Sequence, residues 1–136
     1  MSDEMRAAAR RFFQEVVSEG RLDVIPDLIA EDFVEHETLP GAPEGRDAVA
    51  WFVASFRGAV PDLRVEVDDL IVEDDKLVAR STWSGTQEGE LFGIPATGKR
   101  FAMNVIDIVR FDGDRVVEHW GVSDVAGMMQ QVGLAA

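Results

Sequence analysis

The stretch from Arg100 to Asp124, RFAMNVIDIVRFDGDRVVEHWGVSD, restricts the folds open to this chain more than any other. Val, Ile and Met run on both sides of a Gly-centred turn at Phe111-Asp112-Gly113, the pattern of two strands folded back as a hairpin. Two polar residues interrupt it where an ordinary core strand would have none: Asp107 between Ile106 and Ile108, and His119 before Trp120. Strand side chains alternate between faces, so the pairing register decides whether the two can meet. A two-residue Asp-Gly turn would oppose Asp107 to Glu118 and Arg110 to Arg115, and like charges directly opposite destabilise by up to about 1 kcal/mol per pair. A three-residue loop ending in Gly113, the usual place of a left-handed glycine bulge, opposes Arg110 to Asp114 instead and is the register expected. It sets Phe101, Met103, Val105, Asp107, Val109, Val117, His119 and Gly121 on one face, with the acid and the histidine as diagonal neighbours. The other face carries Ile106, Ile108, Val116, Trp120 and Val122, more apolar surface than a solvated face should show, and a homodimer interface is expected there.

The rest of the chain supplies the partners for this hairpin. Residues 3 to 19 read as an amphipathic helix, with Ser2 as cap, Phe12, Phe13, Val16 and Val17 as the buried stripe, and Gly20 as stop. A short helix is expected over 24 to 30 with Asp23 as cap and Pro26 in its first turn, then a short strand at Phe33 to Glu35 and a loop to Gly45. Arg46 to Arg57 is the clearest helix, since Val49, Phe52, Val53 and Phe56 fall at i, i+3, i+4 and i+7 before Gly58. From Leu63 the period becomes alternating, with Leu63, Val65, Val67, Asp69 and Ile71 on one face, then Leu77, Ala79, Ser81 and Trp83 on the next strand. The Gly- and Pro-rich stretch Thr86 to Lys99 carries Leu91, Phe92 and Ile94, as a flap over a pocket entrance would. A last helix, Ser123 to Val132, is capped by Ser123 and ended by Gly133. Helices first and a long meander after them predict a single α+β domain over 1–136, with the helices on one face of a curved antiparallel sheet whose concave side lines an interior.

Composition narrows the function. A net charge of −13 argues against nucleic acid or an anionic membrane as partner, because phosphate binding needs clustered Lys and Arg. The chain has no cysteine, which excludes disulfides, thiol nucleophiles and thiolate metal sites. Two histidines and scattered acids show no ligand spacing, so no metal is expected. With neither a signal peptide nor an apolar run approaching the ~20 residues of a membrane span, a soluble cytoplasmic protein is expected.

Four stretches resemble a known family: DFVEH at 32 to 36, PDL at 61 to 63, SGTQEGELFGIPATGK at 84 to 99 and VVEHWGVSDVAGMMQQVG at 116 to 133. The arrangement resembles the nuclear transport factor 2-like (cystatin-like) cone fold shared with ketosteroid isomerase and scytalone dehydratase. More narrowly, the chain is similar to the SnoaL-like polyketide cyclase, or ester cyclase, family. The resemblance implies intramolecular aldol ring closure of a polyketide ester without metal or organic cofactor. It also implies a pocket aspartate as acid/base with a histidine on the neighbouring strand. Aligned through the EHW motif, Gly121 stands at the aspartate's position and Asp107 at the histidine's.

Asp107 is accordingly the candidate general base, since Val and Ile around it would disfavour its charged form; the plainer alternative is a hydrogen bond inside the core. If its charge is awkwardly buried, removing it should leave stability level or slightly higher. His119 could donate or accept a proton or orient Asp107, or be a satisfied core histidine. His36 could lie at the pocket mouth or simply on the surface. Asp124, in a first helical turn, suits the helix dipole, and the resemblance adds a pocket role. Trp83, Met103, Val105, Trp51, Leu91 and Phe92 are the expected walls for a small apolar or aromatic ligand. The leading expectation is a cofactor-independent cyclase- or isomerase-type enzyme acting on a largely apolar carbonyl compound. The alternative is a dimeric protein that binds such a molecule in the same pocket without chemistry.

Overall fold

The computed structural model describes residues 2–134. Helix α1 (Ser2–Arg11) runs directly into a π-helical segment, Phe12–Ser18, and together they bury Met5, Ala9, Phe13, Val16 and Val17. Ser2 is itself the first helical residue, so it is not the cap. A 3-10 turn, Leu22–Val24, leads into the one-turn helix α2 (Ile25–Leu28); Asp23 lies inside that turn and caps nothing. Strand β1 (Ile29–Glu35) begins at once, because its Ile29 end pairs with the sheet where local propensity alone reads helix. Helix α3 (Arg46–Ala59) buries Ala48, Val49, Val53, Phe56 and Ala59 and runs through Gly58 to a last bond from Val60 N–H to Phe56 O.

Strands β2 (Arg64–Glu73), β3 (Lys76–Thr86), β4 (Arg100–Asp112) and β5 (Arg115–Ser123) complete a five-stranded sheet in the order β1-β5-β4-β3-β2. Neighbours are antiparallel except β1, which runs parallel to β5 and makes the expected antiparallel sheet a mixed one. The sheet is curved but not closed, and its concave face packs on the helices as an α+β cone. Helix α4 (Val125–Gln131) lies against β4. Among the described residues, no helix is long and apolar enough to cross a membrane.

Two single-residue bulges redirect side chains away from the simple alternation. One leaves Asp68 unpaired between Val67 and Asp69, so that Leu70 and Val72 turn to the core and Ile71 becomes 56% exposed. The other sits in the organising hairpin. Its turn is the two-residue Gly113-Asp114, closed by Asp112 opposite Arg115, with Gly113 at the positive φ of 65° that its place in the turn requires. Phe111 then faces Val116 but Arg110 faces Glu118, which leaves Val117 as the extra residue. The inward residue is therefore Val116, packed on the core, and not Val117 as the three-residue loop implies. Beyond the bulge the pairs are Val109 with His119 and Asp107 with Gly121, four residues out of step with the expected register. His119 is diagonal to Asp107 in either register, so the two still meet.

The outer face of β4 and β5 loses Val116 from the expected apolar patch but keeps Ile106, 49% exposed, and Val122, 74% exposed. The segment from Gln87 to Lys99 is not an open flap. Gln87 is fully buried and ties it internally: its amide nitrogen donates to Ile94 O and Pro95 O, and its oxygen accepts from Thr97.

Candidate active site

Between the concave sheet face, α1 with its π-helical extension, and α3 lies a pocket of about 130 Å³. Its walls are mostly apolar, with Phe12, Phe13, Trp51, Phe52, Trp83, Met103 and Val105 among them. The Trp83 indole N–H is satisfied by Ser81 Oγ at 3.1 Å, so the ring presents only apolar surface. Among the described residues, four ionisable ones line the pocket: Glu35 from β1, Glu37 just beyond it, Asp107 from β4 and His119 from β5. All four come from the β1-β5-β4 side of the sheet.

The His119 ring is held on both sides. Its Nδ1 lies 2.6 Å from Glu35 Oε1 and its Nε2 2.7 Å from Asp107 Oδ1. All three side chains are more than four-fifths buried, with 17, 15 and 14% of their surface exposed for His119, Glu35 and Asp107. Burial alone would favour a neutral ring. The hydrogen bonds to Asp107 and Glu35 and the charges of both carboxylates outweigh it and raise the His119 pKa to about 10. The ring is thus an imidazolium donating one N–H to each acid. Glu35 Oε1 also accepts the Glu37 backbone N–H at 2.9 Å, which fixes the chain between the two glutamates.

Glu37 is different. Its carboxylate makes no hydrogen bond to any described residue. Burial raises its pKa, His119 pulls it back, and the charges of Asp107 and Glu35 push it further up. Its position is made possible by Gly121. A Cβ there would come within 2.9 Å of Asp107 Oδ1, 2.9 Å of His119 Cε1 and 3.0 Å of Glu37 Oε1. The missing side chain is what lets these three groups converge.

Other candidates lie elsewhere. His36 alternates to the outer face, stacked on Trp120 at 4.9 Å with Nε2 2.8 Å from Glu118 Oε2, because Glu35 and Glu37 take the inward positions on either side of it. Asp124 is exposed and replaces Ser123 as the cap of α4, its Oδ1 accepting the Gly127 N–H at 2.9 Å. It is absent from the pocket lining, where Ser123 stands instead. Leu91 and Phe92 do not line the pocket either. Leu91 is buried in the core, while Phe92, at a positive φ of 48°, stacks on Phe52 at 5.4 Å and tilts against Trp51 at 5.5 Å, backing the wall those two form. Glu35 and Glu37 are missing from the sequence-based candidates. The alternation Phe33, Glu35, Glu37 pointed to them, since a buried Phe33 puts residues of the same parity on the same side.

The arrangement can move protons between carbon and oxygen. It holds carboxylates in different environments, two paired with a fixed cation and one unpaired among the described residues, on one side of an apolar chamber. It is poorly suited to a metal: both His119 nitrogens are taken by carboxylates, and among the described residues no group of three or more His, Cys, Asp or Glu is placed to hold an ion.

A family model described as SnoaL-like polyketide cyclase matches residues 7–132. The chain is 25% identical over 123 residues to the aklanonic acid methyl ester cyclase DauD of Streptomyces sp. (strain C5), an alignment spanning 88% of this chain and 76% of DauD. It is likewise 25% identical over 125 residues to the aklanonic acid methyl ester cyclase DnrD of Streptomyces peucetius, covering 88% and 84% of the two chains. Among solved structures, TsrD from Streptomyces laurentii superposes with a TM-score of 0.89 at 30% identity, covering 97% of this chain and 96% of that one.

Proposed function

Because the chain belongs to the SnoaL-like polyketide cyclase family, we propose that it is a cofactor-independent acid/base enzyme that closes a ring by intramolecular aldol or related carbon-acid chemistry. The observation that carries this reading is the imidazolium of His119 clamped between Asp107 and Glu35 in an otherwise apolar pocket. A pocket built only to hold an apolar ligand has no use for four ionisable groups on one side, each costing desolvation. The names of DauD and DnrD suggest the substrate class, a polyketide-like methyl ester, and the aromatic walls suit such a molecule.

Asp107 is the base in this reading. Its Oδ1 is engaged by His119, and Oδ2 makes no hydrogen bond among the described residues. Asp107 takes the proton from the carbon beside the ester carbonyl, and the C–H electron pair becomes an enolate. The enolate carbon attacks a ketone carbon of the same molecule, a C–C bond forms, and the C=O electron pair moves to oxygen, which takes a proton to become a hydroxyl. Nothing is oxidised or reduced, so the balance needs no redox partner. His119 orients Asp107 and remains charged throughout, so it offsets the negative charge that develops beside it. Turnover of aklanonic acid methyl ester by the wild-type protein and by Asp107→Asn tests the reading. Binding with no turnover by the wild type would favour the ligand-binding alternative.

We also propose that the outer face of β4 and β5 joins two copies of the chain, on the strength of exposed Ile106 and Val122 beside the half-buried Ile108 and Trp120.

A further inference from the structure

Ring closure needs an acid as well as a base, since the ketone oxygen that receives electrons must end as a hydroxyl. Asp107 and Glu35 are both engaged by His119, and His119 has no free nitrogen with which to reach a substrate. Glu37 is the remaining ionisable residue of the pocket, and its carboxylate is unpartnered among the described residues. Its Oε1 and Asp107 Oδ1 lie 3.0 and 2.9 Å from the same point, the place a Gly121 side chain would fill. Both carboxyl groups converge on Gly121 from the lining of the same pocket, so a substrate in that pocket meets both at once.

We propose that Glu37 is a second catalytic residue, the acid that protonates the acceptor ketone oxygen as the new C–C bond forms. The proposal rests on the reading that Asp107 removes the carbon-bound proton. The O–H bond of the Glu37 carboxyl breaks as the hydroxyl O–H of the product forms. Asp107 is left protonated and Glu37 ionised, and transfer of that proton from Asp107 to Glu37 restores the starting state. The surroundings fit the assignment. Asp107 on β4 and Glu35 on β1 are negative and His119 on β5 is positive, and burial with the two negative neighbours outweighs the cation, favouring the protonated form of Glu37.

The test uses aklanonic acid methyl ester in D₂O and follows two rates, deuterium exchange at the carbon beside the ester and ring closure, for the wild type, Glu37→Gln and Asp107→Asn. Among the described residues the Glu37 carboxylate holds no partner that would be orphaned, so Glu37→Gln is expected to fold, and circular dichroism checks it. Glu37→Gln is expected to slow closure ~10²-fold, the usual scale for a general acid, and to slow it more than it slows exchange. Asp107→Asn is expected to slow both alike. Closure by Glu37→Gln at the wild-type rate, with Asp107→Asn impaired, overturns the Glu37 assignment and leaves Asp107 standing. So does an equal loss of exchange and closure in Glu37→Gln, because the residue then serves the proton abstraction itself. A wild type that neither exchanges nor closes removes the acid/base reading and this assignment with it.

Discussion

His119 Nε2 lies 2.7 Å from Asp107 Oδ1, on the diagonal between neighbouring antiparallel strands, while Nδ1 of the same ring reaches Glu35 on the parallel edge strand. The ring can donate to both acids only with a proton on each nitrogen. Its folded pKa of about 10 exceeds the ordinary 6.5, so the stability it contributes is fully present below pH 6.5 and is lost as pH rises through about 10. The expected outcome is an unfolding midpoint that falls between pH 7 and 10 in the wild type and less steeply in His119→Gln. Parallel pH profiles would show that the ring is not held as a cation.

The same pairing reverses the expectation for Asp107. An unpaired carboxylate in an apolar wall would be a burden, and its removal would leave stability level or higher. Here Asp107 is the charged acceptor of a charged donor; the amide of Asp107→Asn can still accept from His119 but carries no charge, so the fold should lose up to about 1.5–3 kcal/mol, the range for hydrogen bonds to charged groups. Urea denaturation at pH 7 checks this. A midpoint at or above that of the wild type contradicts it.

Much of this site is legible in the sequence, and what is not has physical causes. Alternation in Phe101 to Val109 put Asp107 on the concave face, and His119 falls diagonal to it in either register, so their meeting survived a four-residue register error. The error came from the turn and the bulge at Val117. One extra residue in one strand leaves no mark in the hydrophobic pattern, yet it swaps Val116 for Val117 at the core. The α+β layering is legible because helix and strand periods are distinct, and the cone follows from the family resemblance. The parallel edge is not legible, because β1 is short and pairs with a strand some eighty residues away. Side-chain chemistry singles out His36, but strand parity places its neighbours Glu35 and Glu37 in the pocket.

Gly121 offers a steric test. Its φ is ordinary, so alanine adds no backbone strain there, but the new methyl must displace Asp107 Oδ1, His119 Cε1 or Glu37 Oε1. Because Asp107 and His119 hold each other, moving one misplaces the other. Gly121→Ala should fold and bind ligand yet lose about 10²-fold in turnover, as a catalytic group shifted by roughly 1 Å does. Turnover within a few-fold of the wild type would mean that the convergence over Gly121 is not required.

The proposed pairing of two copies makes its own prediction. Sedimentation at micromolar concentration should give a dimer for the wild type and a monomer for Val122→Asp or Ile106→Asp. Both side chains are exposed in the single chain, so these variants should keep the fold. A wild-type monomer under those conditions would remove the interface.

Whether this pocket performs acid/base chemistry with Asp107 as the base is decided by mixing aklanonic acid methyl ester with the wild type and with Asp107→Asn and measuring binding and ring closure in parallel. Closure by the wild type is expected and, in Asp107→Asn, binding of similar strength with closure slowed ~10²-fold or more. Binding without closure by the wild type, or equal closure by both, would contradict it.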